Sequence, residues 1–109
     1  MMAEYYSSQG TAYFRKGESD KAIECHLKRL EIRKEIFGEK DDGVAVAYHD
    51  IGTNYLVTGE YEKAIECYLK CLEIRKSLYG ENNYKTREVE RYINSIRLIN
   101  RNEQEMPEI

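Results

Sequence analysis

Apolar residues recur along the chain at the spacing of helix faces. Between residues 61 and 79 they stand three, four and seven positions apart, which places them on one side of an α-helix. This stripe consists of Ala64, Cys67, Tyr68, Cys71, Leu72 and Tyr79. An earlier stripe consists of Ala22, Cys25, His26, Leu30 and Phe37. A third lies between them and consists of Val44, Tyr48, Ile51, Gly52, Tyr55 and Leu56. The pattern predicts an all-α chain.

The two longer stripes belong to an internal repeat of 42 residues. Residues 10–41 and 52–83 share 19 identities in 32 aligned positions. Self-similarity at a fixed period is typical of repeat architectures. Gly17 and Gly59 break the apolar pattern where a tight turn is needed, and Gly38 and Gly80 follow the longer helix, where a left-handed residue ends many helices. Each repeat is therefore predicted to be a helix, a short turn and a longer helix.

The spacing of small and aromatic residues resembles the tetratricopeptide repeat (TPR) family. The second copy has Tyr48-x-x-Ile51-Gly52-x-x-Tyr55, then Gly59, then Ala64-x-x-x-Tyr68. The first copy carries a matching set: Tyr6, Gly10, Tyr13, Gly17, Ala22 and His26. The period of 42 exceeds the usual 34, and this extended form is similar to the repeats of kinesin light chains and nephrocystin-like proteins. The resemblance implies a right-handed α-solenoid in which Gly52 and Ala64 let two helices approach closely.

Residues 84–102 align with the first helix of a third repeat that has no second helix. Its apolar positions are Val89, Tyr92, Ile93, Ile96 and Ile99. Glu90, Asn94 and Arg97 replace the Tyr48, Gly52 and Tyr55 of the second copy. Polar residues on the outward face are what a terminal cap of a solenoid requires.

One domain over residues 1–102 is therefore predicted. It comprises repeat one at about 4–42, repeat two at about 44–83 and a capping helix at about 84–102, five helices in all. Residues 103–109 form an acidic tail that is expected to be disordered.

The resemblance also implies where a partner would bind. In the family, partner peptides lie along a concave face made by the first helix of each repeat. Mapped onto this chain, that groove would consist of Ser7, Thr11, Phe14, His49, Thr53, Leu56, Arg91 and Ser95. The Lys and Asn cluster that grips chaperone tails in other members is replaced here by Ser7, Thr11, His49 and Thr53. We therefore expect a protein–protein interaction module that binds a peptide or helix of a partner protein.

Two further interpretations stay open at the sequence level. The chain could instead be a structural scaffold that forms homo-oligomers through the end faces of the solenoid. The capping helix carries five basic residues against Glu88 and Glu90: Lys85, Arg87, Arg91, Arg97 and Arg101. These cations would favour an acidic partner segment. Alternatively, Arg97 and Arg101 would only complement the dipole at the helix end.

Arg29 stands where the second copy has Cys71. Because an arginine cannot be buried without a partner, we expect this part of the second helix to be poorly covered.

The chemistry-bearing residues point away from catalysis and metal binding. Cys25, Cys67 and Cys71 occupy apolar positions and are expected to be structural, reduced thiols without a metal or cofactor. His49 and Asp50 are adjacent in one helix, so their side chains diverge by about 100° and do not form an oriented catalytic pair. No glycine-rich phosphate loop is present. The chain is expected to be no enzyme.

Composition narrows the classes of partner that the chain is expected to bind. Seventeen Lys and Arg residues against twenty Asp and Glu residues give a net charge of −3, which argues against a nucleic-acid partner. No segment has the apolar length of a signal peptide or a membrane span, so no membrane partner and a cytoplasmic location are expected.

Overall fold

Five helices in sequence make up the structure, a computed structural model that describes residues 2–105. They are α1 (Met2–Arg15), α2 (Ser19–Phe37), α3 (Asp42–Val57), α4 (Tyr61–Tyr79) and α5 (Tyr84–Glu105). The described residues contain no strand. The extensive contacts all join helices that follow one another in the chain. The prediction of an all-α solenoid, with two hairpins and a fifth helix, is confirmed.

The turns inside both hairpins are alike because an equivalent glycine follows the first helix of each. In the first hairpin, the Glu18 amide donates to the Tyr13 carbonyl (2.9 Å) and the Gly17 amide to the Phe14 carbonyl (3.0 Å). The second hairpin repeats both bonds, with Gly59 in the place of Gly17. These are the two bonds of a Schellman motif, and the φ angles of +78° and +80° suit glycine.

The glycines after the long helices behave differently from the prediction in one respect. Gly38 and Gly80 have positive φ angles, as predicted, but their ψ angles are 177° and 169°. This combination is extended rather than left-handed helical and is open almost only to glycine. It sends the chain away from the helix end toward the next repeat.

Side-chain oxygens accept backbone amides at the N-terminal ends of α3 and α5. The Asp41 carboxylate accepts the Val44 amide at 3.1 Å and so caps α3, while Arg33 Nε donates to the same oxygen at 3.0 Å. At the equivalent place in the next repeat, Asn83 Oδ1 accepts the Lys85 amide at 2.9 Å.

The core lies between successive helices, where the predicted stripes meet. Its largest fully buried side chains include Tyr68, Ile96, Val44 and Val89. A Cβ on Gly52 would come within 3.0 Å of the Tyr68 ring and 3.3 Å of the Ala64 carbonyl. The predicted close approach of α3 and α4 at Gly52 and Ala64 is therefore confirmed.

Helix α5 is longer than predicted. The prediction ended it at residue 102, whereas it continues to Glu105, where the acidic tail was expected to begin. Its last turn contains no basic residue, and Arg97 and Arg101 lie before that turn. The rest of the predicted tail, residues 106–109, lies outside the described residues.

Candidate functional site

A small cavity between α1 and α3 brings together three of the predicted groove residues. Thr11 and Phe14 come from α1, and Thr53 comes from α3. The cavity measures about 150 Å³ and its remaining lining residues are His26, Asp50 and Asn54. These last three were absent from the predicted site, although Asp50 and Asn54 directly follow the predicted His49 and Thr53 in the chain.

The other predicted groove residues lie elsewhere. Arg91 lines a separate shallow depression with Arg87, Glu90 and residues of the α4–α5 turn. Ser95 is exposed on α5, and Leu56 packs against the core. The Ser7 carbonyl accepts the Thr11 hydroxyl at 3.0 Å. His49 is half-buried and packs edge-on against the rings of Tyr68 and Tyr92, with centroids 5.1 and 5.6 Å away.

A polar cluster lies beside the cavity and consists of the buried His26 and Arg29 with the half-buried Asp50. Arg29 is only 8% exposed, and its Nη1 donates to Asp50 Oδ2 at 2.9 Å. The same nitrogen lies 3.4 Å from His26 Nδ1. The prediction that Arg29 marks a poorly covered part of α2 is wrong, because Asp50 of the next repeat supplies the partner that burial requires.

The cluster sets the charge of its members. Burial lowers the pKa of His26, the nearby Asp50 carboxylate opposes this, and the Arg29 charge lowers it further. Burial alone would raise the pKa of Asp50, but the side chains of His49 and Arg29 outweigh burial and lower it. Near pH 7, His26 is therefore neutral while Asp50 is ionised. The neighbouring side chains of His49 and Asp50, expected to diverge, approach to 3.7 Å between Nδ1 and Oδ1.

The threonines and Asn54 leave mainly acceptor oxygens at the cavity. Thr53 Oγ1 donates to the His49 carbonyl at 3.0 Å, so the Tyr68 hydroxyl, 2.6 Å away, must donate to Thr53. Asn54 is 1% exposed, and its Nδ2 donates to the Asp50 carbonyl at 2.9 Å. Its Oδ1 is buried without a hydrogen-bond partner among the described residues.

A larger cavity of about 230 Å³ shares no lining residue with the predicted groove. It is lined by Lys34, Glu39, Lys40, Tyr48, Lys70, Glu73, Ile74 and Ser77. The amino groups of Lys34 and Lys70 lie 5.4 and 5.8 Å from the centre of the Tyr48 ring. The charges of the lysines and glutamates that line this larger cavity nearly balance. The sequence analysis did not predict the cavity.

The three cysteines are free thiols, and Cys71 is fully buried. Burial raises the pKa of both Cys67 and Cys71 to about 11, which leaves them protonated and weakly nucleophilic near pH 7. Among the described side chains, no group of three His, Cys, Asp or Glu residues is arranged to hold a metal ion. Within residues 2–105, no helix combines the length and apolar content that crossing a bilayer requires.

Comparisons with known proteins agree with this architecture. A family model described as tetratricopeptide repeat matches residues 1–77. The crystal structure of BtubC (BKLC) from P. vanneervenii superposes with a TM-score of 0.80 at 26% sequence identity. The superposition covers 90% of this chain and 39% of the BtubC chain, so this chain spans less than half of that protein. A comparison with curated protein sequences returned no match.

Proposed function

Because the chain belongs to the tetratricopeptide repeat family, we propose that it is a non-catalytic interaction module that binds a peptide or helix of a partner protein. Members of this family generally mediate protein–protein interaction. The observation that carries the proposal is the cavity between α1 and α3, where Thr11, Phe14 and Thr53 meet around a buried polar wall. A cavity of about 150 Å³ is small for a whole ligand, since small-molecule sites usually measure about 300–1,000 Å³. It suits one anchoring side chain of a longer segment.

The partner segment is proposed to lie across α1 and α3 and to continue toward α5. Ser7 and His49 occupy equivalent positions on the first two of these helices, and Arg91 and Ser95 would extend the surface on the third. Binding to a preformed surface costs less conformational entropy than binding to a mobile one. Thr11 and Thr53, which are equivalent in the two repeats, would contribute the same contact twice. Specificity would come from lining residues in which the repeats differ, such as Asn54 and Phe14.

Affinity capture from a lysate of the source cells, read by quantitative mass spectrometry, tests this proposal. The bait would be the native chain, and the groove variant would carry Thr11→Arg and Thr53→Arg, which fill the cavity with charge. A variant with Ser77→Arg, in the larger cavity that the groove does not share, is the matched control. We expect a protein that the native chain and the Ser77→Arg control retain and that the groove variant loses. Equal retention by all three baits would contradict the proposal.

The alternative of self-association is favoured by one observation at the N-terminal end. Met2 and Tyr5 are 58% and 55% exposed, whereas the equivalent residues of α3, Val44 and Ala47, are fully buried. The face that α3 packs against α2 is thus left uncovered on α1. The opposite end is polar, with Glu90, Asn94 and Arg97 on α5 in the places of Tyr48, Gly52 and Tyr55.

This asymmetry favours a symmetric dimer through two α1 faces over a head-to-tail array. Light scattering after size-exclusion chromatography would then show a mass that doubles with concentration and returns to the monomer in Tyr5→Arg. A monomeric native chain at all concentrations would exclude this second function.

A further inference from the structure

The polar atoms around the α1–α3 cavity are mostly acceptors. Thr11 Oγ1 uses its single proton on the Ser7 carbonyl, and Thr53 Oγ1 uses its own on the His49 carbonyl. Each hydroxyl therefore presents only lone pairs to a ligand. The Asp50 carboxylate and the unpartnered Oδ1 of Asn54 add two further acceptors.

Asn54 is the strongest indication of a ligand. It is almost completely buried, lines the cavity and holds its amide in place with the Nδ2 bond to the Asp50 carbonyl. That bond fixes Oδ1 as the end of the amide that still needs a donor. A buried acceptor without a donor costs about 1–3 kcal/mol, so a ligand that supplies the donor recovers free energy. The equivalent residues of the other helices are Ala12 and Ile96, which have no such requirement.

The remaining polar lining residue, His26, packs closely against α1. His26 accepts from Arg29 through Nδ1, which leaves Nε2 as the protonated nitrogen. An added Cβ on Gly10 would lie 2.6 Å from His26 Cε1 and 2.7 Å from Nε2, so this edge of the ring packs against α1. Arg29 does not line the cavity, and its charge is paired with Asp50. The surface offered to a ligand is therefore rich in acceptors.

We propose that this cavity receives the primary ammonium group of a lysine side chain from the partner segment. This inference rests on the proposed function and names the chemistry of the anchor. An ammonium has three N–H donors and no acceptor, which matches Asn54, Thr11 and Asp50. The Phe14 ring supplies an apolar wall along which the methylene stem of a lysine packs. A carboxylate would instead face acceptors with lone pairs of its own.

Positional-scanning peptide pools provide the test. The intact 109-residue chain would be titrated with pools that each fix one position as Lys, Arg, Glu or Leu, with the other positions randomised. A charge-assisted hydrogen bond is worth about tenfold or more in affinity, so Lys pools are expected to bind about tenfold tighter than Glu or Leu pools. A matched peptide carries trimethyl-lysine, which keeps the charge and removes all three donors. We expect it to lose that advantage.

Two variants assign the preference to the cavity. Asn54→Leu removes the acceptor, so the Lys preference should fall about tenfold. Asn54→Ser keeps an oxygen whose proton can bond the Asp50 carbonyl and whose lone pairs remain available, so it should retain part of the Lys preference, which separates the effect from a loss of folding. Ser95→Val, at the position of α5 that is equivalent to Thr11 and Thr53, is the control and should change nothing. Circular dichroism would verify that each variant is folded.

The outcomes separate this inference from the proposed function. A Glu or Leu preference, a Lys preference that survives Asn54→Leu, or equal binding of trimethyl-lysine would overturn the lysine anchor. In each of these cases, the bound peptides could still lose binding in the variant with Thr11→Arg and Thr53→Arg. The proposal of an interaction module would then hold without the lysine anchor. An Arg preference lost in Asn54→Leu would replace ammonium with guanidinium and overturn the assignment. No binding by any pool would contradict both.

Discussion

Three residues distinguish the junction between the first and second repeats from the junction between the second repeat and α5. His26 and Arg29 of α2 correspond to Tyr68 and Cys71 of α4, and Asp50 of α3 corresponds to Tyr92 of α5. At the second junction the rings of Tyr68 and Tyr92 stack with centroids 6.0 Å apart. At the first junction the Arg29–Asp50 ion pair takes the place of that stacking. The same packing geometry therefore accommodates two chemistries, and the polar one borders the candidate site.

His26 makes stability depend on pH. Burial lowers the pKa of His26 below its ordinary value of 6.5, so the folded chain binds a proton less readily than the unfolded chain. Well above pH 6.5 both states are neutral and the residue contributes no pH dependence. Below pH 6.5 the unfolded chain takes up a proton first, so the free energy of unfolding falls until the folded pKa is passed.

Urea titrations between pH 7.5 and pH 5 measure this dependence. His26→Tyr, which copies Tyr68, is expected to flatten the curve in this interval. Asp50 does not interfere, because its pKa is lowered from 3.8 and its own loss of stability begins only near that pH or below. A native chain with constant stability over the interval would contradict the assignment.

The Arg29–Asp50 pair should behave as a coupled unit. Arg29→Met is expected to cost about 1–3 kcal/mol, less than a fully buried pair would, because the Asp50 side chain is 36% exposed. Asp50→Asn leaves Arg29 buried and should also destabilise. The double variant is expected to lower the free energy of unfolding by less than the sum of the two single variants, because it leaves neither charge without its partner. Additive costs in chemical denaturation would show that the two side chains do not interact. Lys21→Met, in an exposed pair with Glu18, is a control expected to change stability by less than about 0.5 kcal/mol.

At the scale of the elements, the residues that are identical in the two copies predicted the helices and turns. Several residues that differ between the copies, Arg29 and Asn54 among them, lie in or beside the candidate site. Helix periodicity and the recurring glycines predicted all five helices, because helix faces and turns depend on local sequence. The pairing of Arg29 with Asp50 was missed, since it joins residues 21 positions apart in different repeats. The cavity was half predicted: Thr11, Phe14 and Thr53 followed from the family, whereas the place of His26, Asp50 and Asn54 in its lining depends on how α1, α2 and α3 are arranged in space.

Replacing a glycine that has a positive φ angle in one of the turns should lower the stability of the fold. Gly59→Ala places a Cβ on a residue with a φ of +80°, and no neighbouring atom lies within 4 Å of that Cβ. The expected loss of about 1–2 kcal/mol therefore comes from backbone conformation alone. Ser77→Ala, an exposed change inside α4, should lie within about 0.5 kcal/mol of the native chain. Thermal unfolding of both variants measures the difference, and equal midpoints would contradict the account of the turn.

The whole molecule is a short stack in which each helix relies on its neighbours in the chain. Its dimensions of 52 × 35 × 17 Å make it flat and long, and its radius of gyration of 14.7 Å exceeds the roughly 13 Å expected of a compact chain of this length. Such a stack exposes much surface on both broad faces. It also leaves two unlike ends, one with Met2 and Tyr5 and one with the polar side of α5.

The measurement that tests the central claim most directly is chemical-shift mapping by ¹⁵N NMR with the tightest peptide from the pools. If the partner segment binds across α1 and α3, the largest amide shifts will cluster at Thr11, Thr53 and Asn54, with smaller shifts toward α5. The amides around Tyr48 and Lys70, and those near Tyr5, will stay in place. Shifts centred on Tyr48 or on Tyr5, with the amides of Thr11 and Thr53 unmoved, would contradict the claim and assign recognition to another surface.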